Sequence, residues 1–193
     1  MDKPTLLLAS ASPRRRELLT HMGITFTTHP QDVDETFLSP HPRREARRIA
    51  RLKIESLLEE FPEGKNRWCL GADTFIAQGR RLLGKPAGRK DAEEMPRRLG
   101  GRRHKVLTGM ALHMPGHGIW TKVIATTVVF RHLKQEDLEW YLDTGEWRDA
   151  AGAYKIQGAG SCLIDRIIGS YPNVMGLPIE SLYGILRRYN FPF

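Results

Sequence analysis

Short apolar runs, each too brief for a helix and each followed by a turn signal, alternate along this chain with amphipathic segments. Leu6-Leu7-Leu8 opens the series inside a predicted strand over 5–9, followed by a helix over 13–22 and a short strand over 25–28. Residues 43–59 carry the clearest helical stripe. Beyond it, a buried strand over 68–70 ends at Gly71, and strands over 74–77 and 81–83 form a hairpin across Gln78-Gly79-Arg80. A helix over 91–99 precedes an antiparallel pair, 105–113 and 121–130, turned by Pro115-Gly116-His117-Gly118. A short helix over 135–142, a strand over 161–168 and a helix over 178–188 with Pro178 at its first position close the chain. Strands that alternate with helices yet include hairpins predict an α/β fold, a mixed central sheet flanked by helices. At 193 residues the chain, 1–193, reads as one domain, folded as two lobes around a cleft.

The first helix begins against its own dipole. Ser12 reads as the N-cap, its oxygen bonding an orphan N–H, and Pro13 as the first helical residue, so Arg14-Arg15-Arg16 fill the first turn. Each arginine there costs on the order of 0.3–1 kcal/mol where an acidic residue would gain it. An anion resolves the conflict: free N–H groups and forked guanidinium donors both suit phosphate, the alternative being a solvated basic turn. A net charge of +8 also favours anionic partners, although the basic residues are dispersed. Arg43-Arg44 with Arg47-Arg48, and Arg97-Arg98 with Arg102-Arg103, read as solvated faces. Cys69 and Cys162 lack metal or redox spacing and read as buried thiols in strands. The opening Met-Asp-Lys-Pro-Thr has no basic n-region, and the apolar run behind it is too short for a signal peptide or a membrane span. A soluble cytoplasmic protein without a membrane partner is expected.

Four residues break the pattern of their segments. Lys53 interrupts the apolar stripe Ala46, Ile49, Ala50, Leu57, and either snorkels to water or points at an anion from a rigid helix. Asp73 stands where the apolar run 68–72 emerges, and either opens a turn or serves as a metal ligand or general base at a strand end. Lys85, extended by Pro86 after Gly84, projects from a loop that is no Walker A motif. Glu35, beside Asp34, offers a second carboxylate for a hard cation such as Mg²⁺. Arginines at a helix start, two lysines and two separated carboxylates suit hydrolysis of a phosphoryl or nucleotidyl bond, which needs cations for developing charge and a base for water. No covalent nucleophile with a partnered base accompanies them.

The run 8–19 contains Ser-x-x-Arg-x-Glu at Ser12, Arg15 and Glu17 and resembles the opening of the Maf family of nucleoside triphosphate pyrophosphatases. Asp34-Glu35, Lys53, 71–74, 83–86, Leu107-Thr108-Gly109, 151–154 with 156–158, and 169–178 match in family order. The resemblance implies a fold like that of inosine triphosphate pyrophosphatases, hydrolysis to the monophosphate and pyrophosphate, a divalent cation (Mg or Mn) and a homodimer. It further implies Asp73 as proton acceptor, Glu35 and Asp73 at the metal, and Lys53, Lys85 and Arg15 facing phosphates, with Ser12 in the same substrate-binding motif. Arg14, Thr74 and Gln157 resemble the dTTP/UTP branch rather than the 7-methyl-GTP branch, and the amide of Gln157 can present donor and acceptor to a pyrimidine imide edge. Modified pyrimidine nucleotides stay within range. Ala150 departs from the pattern, which usually has lysine there. The rival functions are a purine triphosphate pyrophosphatase and a nucleic-acid-binding or septum-regulating protein. An aromatic content of 8% without basic-aromatic interleaving, and carboxylates near the phosphate site, count against the latter.

Overall fold

The computed structural model describes residues 5–193, so most of the segment read above for a leader lies outside the described residues. The stretch expected as a buried strand plus one hairpin arm is a single strand, β3 (Cys69–Gln78). Gly71 does not end it. Helix α2 (Pro42–Glu60) is pressed so closely against β3 and β5 (Arg103–Met114) that a Cβ at Gly71 would lie 2.8 Å from the Ala50 carbonyl oxygen, and one at Gly109 1.8 Å from that of Ala46. Both glycines are contact surface for a helix, not breaks in a strand.

One edge of β3 pairs antiparallel with β5 from Cys69↔His113 to Ala77↔Lys105. The other edge is shared. β1 (Leu6–Leu8) pairs parallel with Cys69 and Leu70, while β4 (Arg81–Leu83) pairs antiparallel with Ile76, Ala77 and Gln78. Among the described residues no strand pairs with 71–75 on that edge, and this gap separates the two lobes. With β2 (Phe26–Thr28), β6 (Gly118–Phe130) and β7 (Ile164–Ile168), the seven-stranded mixed sheet runs β2-β1-β3-β5-β6-β7, with β4 beside β3. The fold class is therefore the expected mixed α/β.

Helices cover both faces. On one, α2 lays Ala46, Ala50, Ile54 and Leu57 over Cys69, Phe75, Leu107 and Ala111. On the other, α1 (Pro13–His21), α5 (Tyr171–Met175) and α6 (Ile179–Arg188) enclose a core that includes Leu18, Leu70, Met110, Met175 and Leu182. The second lobe gathers Ile76, Leu83, Val128 and Phe130 beneath α3 (Arg89–Leu99) and α4 (Gln135–Asp143).

Three local expectations are corrected. Residues 161–168 are not one strand: a 3₁₀ turn, Ala159–Leu163, precedes β7, so Cys162 is exposed instead of buried. Cys69 is buried as expected, and burial pushes its thiol up to about 12. Pro178 is the N-cap of α6, not its first residue. Helix α5 has no counterpart in the sequence reading, because one turn is too short to show a period. The Ser170 hydroxyl caps it, accepting from the Asn173 N–H at 3.1 Å. The basic runs are largely the expected solvated faces, with Arg48 paired to Glu45 and Arg97 and Arg98 to Glu93 and Glu94. No described helix is long and apolar enough to cross a membrane.

Candidate active site

A cleft of about 1100 Å³ occupies the gap in the β3 edge. It is lined by Ser10 to Arg15, Glu35, Lys53, Asp73, Thr74, Lys85, Gln157 and the turn at 174–176, among others, so every site residue expected from the sequence reaches one cavity. Successive residues of a strand point to opposite faces, which sends Asp73 toward α2 and Thr74 toward α1 and α5.

On the α2 side, Lys53 does not snorkel. The residue is only 7% exposed, and its ammonium lies 2.5 Å from Glu35 Oε1 and 3.1 Å from Asp73 Oδ1. The helical stripe sets Lys53 on the sheet-facing side, and Gly109, directly opposite Asp73 in the β3/β5 ladder, lets α2 sit low enough for contact. Asp73 is 8% exposed and thus a buried carboxylate with a charged partner, not a turn residue. Glu35 arrives from the irregular segment between β2 and α2 and stays exposed.

On the opposite side, the α1 arginines are held by neutral groups. Arg15 is buried; its Nε donates to the Gly176 carbonyl (2.8 Å), Nη1 to the Ser10 hydroxyl (2.9 Å) and Nη2 to the Thr74 hydroxyl (3.2 Å). Arg14 donates from Nε to the Met175 carbonyl (3.3 Å) and from Nη2 to the Asp149 carbonyl (3.2 Å). Among the described residues neither forms a salt bridge. Burial lowers the pKa of both guanidinium groups, opposed by the charges of Asp73 and Glu35 at Arg15 and of Asp149 at Arg14. Arg16 is exposed, as expected of a solvated residue. Ser12 is the N-cap by position, but its side chain makes no capping bond, which corrects the expected cap. The first-turn N–H groups of Arg14 and Arg15 consequently keep no cap partner in the helix.

The rim comes from the second lobe. Lys85 is exposed, on a loop tied down by the Gly152 N–H donating to the Gly84 carbonyl at 2.9 Å. Gln157 is exposed and lines the cleft. Between them Asp149 and Ala153 hold φ of 57° and 61°, left-handed values that cost a non-glycine residue roughly 1 kcal/mol or more and that cluster at functional clefts. Ala150 is 1% exposed, so the position departing from the family pattern faces the interior, not solvent. Tyr154 supports this segment, sharing a 2.8 Å hydrogen bond with His104 Nε2, and burial takes His104 down to about 4.

Sequence reasoning missed the groups that hold the arginines: Ser10, the carbonyls of 149, 175 and 176, and the turn after α5. Residues 169–178 stood out as a motif but suggested no role, because backbone carbonyls leave no residue-type signal.

Fold and site together define an α/β protein with a cation-lined cleft suited to an anion. The chain belongs to the Maf family: the model described as Maf-like protein matches residues 5–189. It is 44% identical over 195 residues to a protein from Myxococcus xanthus (strain DK1622) named dTTP/UTP pyrophosphatase, covering 99% of this chain and 95% of that one. Proteins of the same name from Anaeromyxobacter dehalogenans (strain 2CP-C) and Chelativorans sp. (strain BNC1) are each 41% identical, covering 98% and 99% of this chain and 96% and 94% of theirs. A solved nucleoside-triphosphatase / dITP/XTP pyrophosphatase from Mycobacterium abscessus superposes over 96% of this chain and 95% of that chain with a TM-score of 0.44 at 14% identity. That likeness is too loose to carry the fold class, which stands on the strand order.

Proposed function

We propose that this cleft hydrolyses nucleoside triphosphates to the monophosphate and pyrophosphate, with dTTP and UTP preferred. The observation that carries the reading is the Lys53 ammonium set between Glu35 and Asp73, facing two arginines that have no carboxylate in contact among the described residues. The names of the relatives support the pyrimidine substrates.

Arg15 and Lys85 line the triphosphate and balance the charge that spreads over its oxygens as the bond breaks. Water attacks the α-phosphorus, the bond to the oxygen bridging α and β breaks, and the electron pair leaves with pyrophosphate. Asp73 takes the proton from that water, and Lys53, itself held by Glu35, fixes the Asp73 carboxylate. Ser12 and the free N–H groups of the first turn add donors for phosphate oxygens. Gln157 meets the imide edge of the base, with Arg14 and Thr74 shaping the pocket beside it.

Two carboxylates that converge on one ammonium also fit a hard dication. Such an ion takes one or two carboxylates and completes its shell with phosphate oxygens and water, and among the described residues no group of three His, Cys, Asp or Glu forms a closed protein site. Glu35 and Asp73 would hold Mg²⁺ or Mn²⁺, which supplies charge neutralisation at the phosphates.

Pyrophosphate release from dTTP, UTP, dCTP, the purine triphosphates and 7-methyl-GTP, each with Mg²⁺ or Mn²⁺, tests the reading. Turnover of dTTP and UTP about tenfold or more above the rest is expected. No release from any of them overturns the activity, and preference for a purine overturns the base assignment.

A further inference from the structure

Thr108 lies opposite Thr74 in the β3/β5 ladder, is fully buried and does not line the cleft. Its hydroxyl oxygen is 3.1 Å from the Asn173 carbonyl oxygen and 2.9 Å from the Thr74 hydroxyl oxygen. A carbonyl only accepts, so the Thr108 hydrogen goes to Asn173 and the contact with Thr74 is filled by the Thr74 hydrogen. The other acceptor near Thr74, the Gly176 carbonyl, is 3.4 Å away, near the limit of a hydrogen bond, whereas the Thr108 oxygen is at 2.9 Å and the Asn173 carbonyl is within 3.1 Å of Thr108. Thr74 in turn accepts from Arg15 Nη2 at 3.2 Å. The hydrogens therefore run one way, from Arg15 to Thr74 to Thr108 to Asn173.

The end of this chain is anchored. Asn173 is fully buried, and its Nδ2 donates to the Val106 carbonyl at 3.2 Å and the Thr126 hydroxyl at 3.0 Å. Helix α5, a single turn, is thereby tied to β5 and β6, and the carbonyls of its last residue, Met175, and of Gly176 hold Arg14 and Arg15.

We propose that Thr108 is a positioning residue for the nucleotide site, acting through Thr74 on Arg15 and leaving Thr74 able only to accept toward the cleft. The inference rests on the nucleotide reading above. Phosphate oxygens are acceptors too, so Thr74 bonds none of them; its remaining lone pair takes a hydrogen from a sugar hydroxyl or a base N–H. Without the Thr108 hydroxyl the Thr74 hydrogen turns to the cleft or to the Gly176 carbonyl, and the Thr74 oxygen that receives Arg15 Nη2 loses its fixed orientation, leaving the guanidinium held at Nε and Nη1 alone.

The test compares Thr108→Val, which removes the relay at nearly constant volume, with Thr108→Ser, which keeps it, in steady-state kinetics on the best triphosphate. Thr108→Val should raise KM about tenfold with kcat changed less than about threefold, and Thr108→Ser should stay within about twofold of wild type. In a Thr74→Val background the relay is already cut, so adding Thr108→Val should move KM by less than about twofold. An equal KM rise in the valine and serine variants, or a valine effect undiminished in the Thr74→Val background, overturns the proposal. If thermal melts show that Thr108→Val does not fold, Thr108→Ala against Thr108→Ser carries the same comparison. A wild-type protein inactive on every triphosphate overturns the nucleotide reading itself, before any variant is compared.

Discussion

On the α2 side of β3 the Lys53 ammonium lies against two carboxylates; on the α5 side, one residue along the strand, the Arg15 guanidinium lies against a carbonyl and two hydroxyls. The cations are similar in charge, and their surroundings are opposite. Lysine is paired within the protein, whereas the arginines are oriented by dipoles and, among the described residues, feel the carboxylates of Asp73, Glu35 and Asp149 only from beyond contact distance. A buried charge without a counter-ion in contact is costly, and an arriving anion lowers that cost. The lysine side therefore looks after a carboxylate, and the arginine side awaits a ligand.

The strongest test of that division removes one carboxylate. In Asp73→Asn the amide oxygen can still accept from Lys53, so the variant should fold, yet with no base for water kcat should fall roughly 10²–10⁴-fold. Wild-type turnover would remove Asp73 from the mechanism.

Acid should loosen the support of the arginine side. His104 is buried and neutral, with its pKa taken from 6.5 to about 4, so the unfolded chain binds this proton first as pH falls. Its contribution to stability is intact above pH 6.5, declines through the window down to about 4, and amounts to about 3 kcal/mol over that range. Denaturant unfolding at several pH values should show this slope in the wild type and lose it in His104→Gln; equal slopes would mean that other groups govern acid sensitivity.

Gly109→Ala strikes the lysine side alone. A Cβ there would meet the Ala46 carbonyl at 1.8 Å, α2 must shift, and Lys53 withdraws from Asp73. A loss of about 1–3 kcal/mol in stability is expected, with kcat falling more than KM rises. Equal damage to KM would show that the two sides are not independent.

Arg14→Trp is the mildest change. It removes the bonds to the 149 and 175 carbonyls and should re-rank the bases by on the order of 1–2 kcal/mol in relative kcat/KM, while the rate on the best substrate changes less. A substrate ranking identical to wild type takes Arg14 out of base choice.

Much of the α2 side was legible from the chain alone. Lys53 stands in an apolar stripe and Asp73 at the end of an apolar run, and a charge in such a place signals a partner, because periodicity announces burial. The arginine side was legible only in half. Charge opposing the helix dipole predicted an anion, but Ser12 does not cap, and the carbonyls that orient Arg14 and Arg15 carry no mark in the sequence. The same reason hid α5 and exposed Cys162, both set by packing over one turn.

The sequence by itself determined the mixed α/β class, the helix that carries Lys53, and the residues that carry charge into the cleft, since local periodicity and residue chemistry suffice for these. Only the tertiary structure decided that β3 runs unbroken with a gap on one edge, and that Asp73 and Thr74 face opposite walls. It also decided which cation meets a carboxylate and which a carbonyl. Those outcomes depend on contacts such as the 161 positions that separate Arg15 from Gly176, and no local pattern encodes distances of that kind.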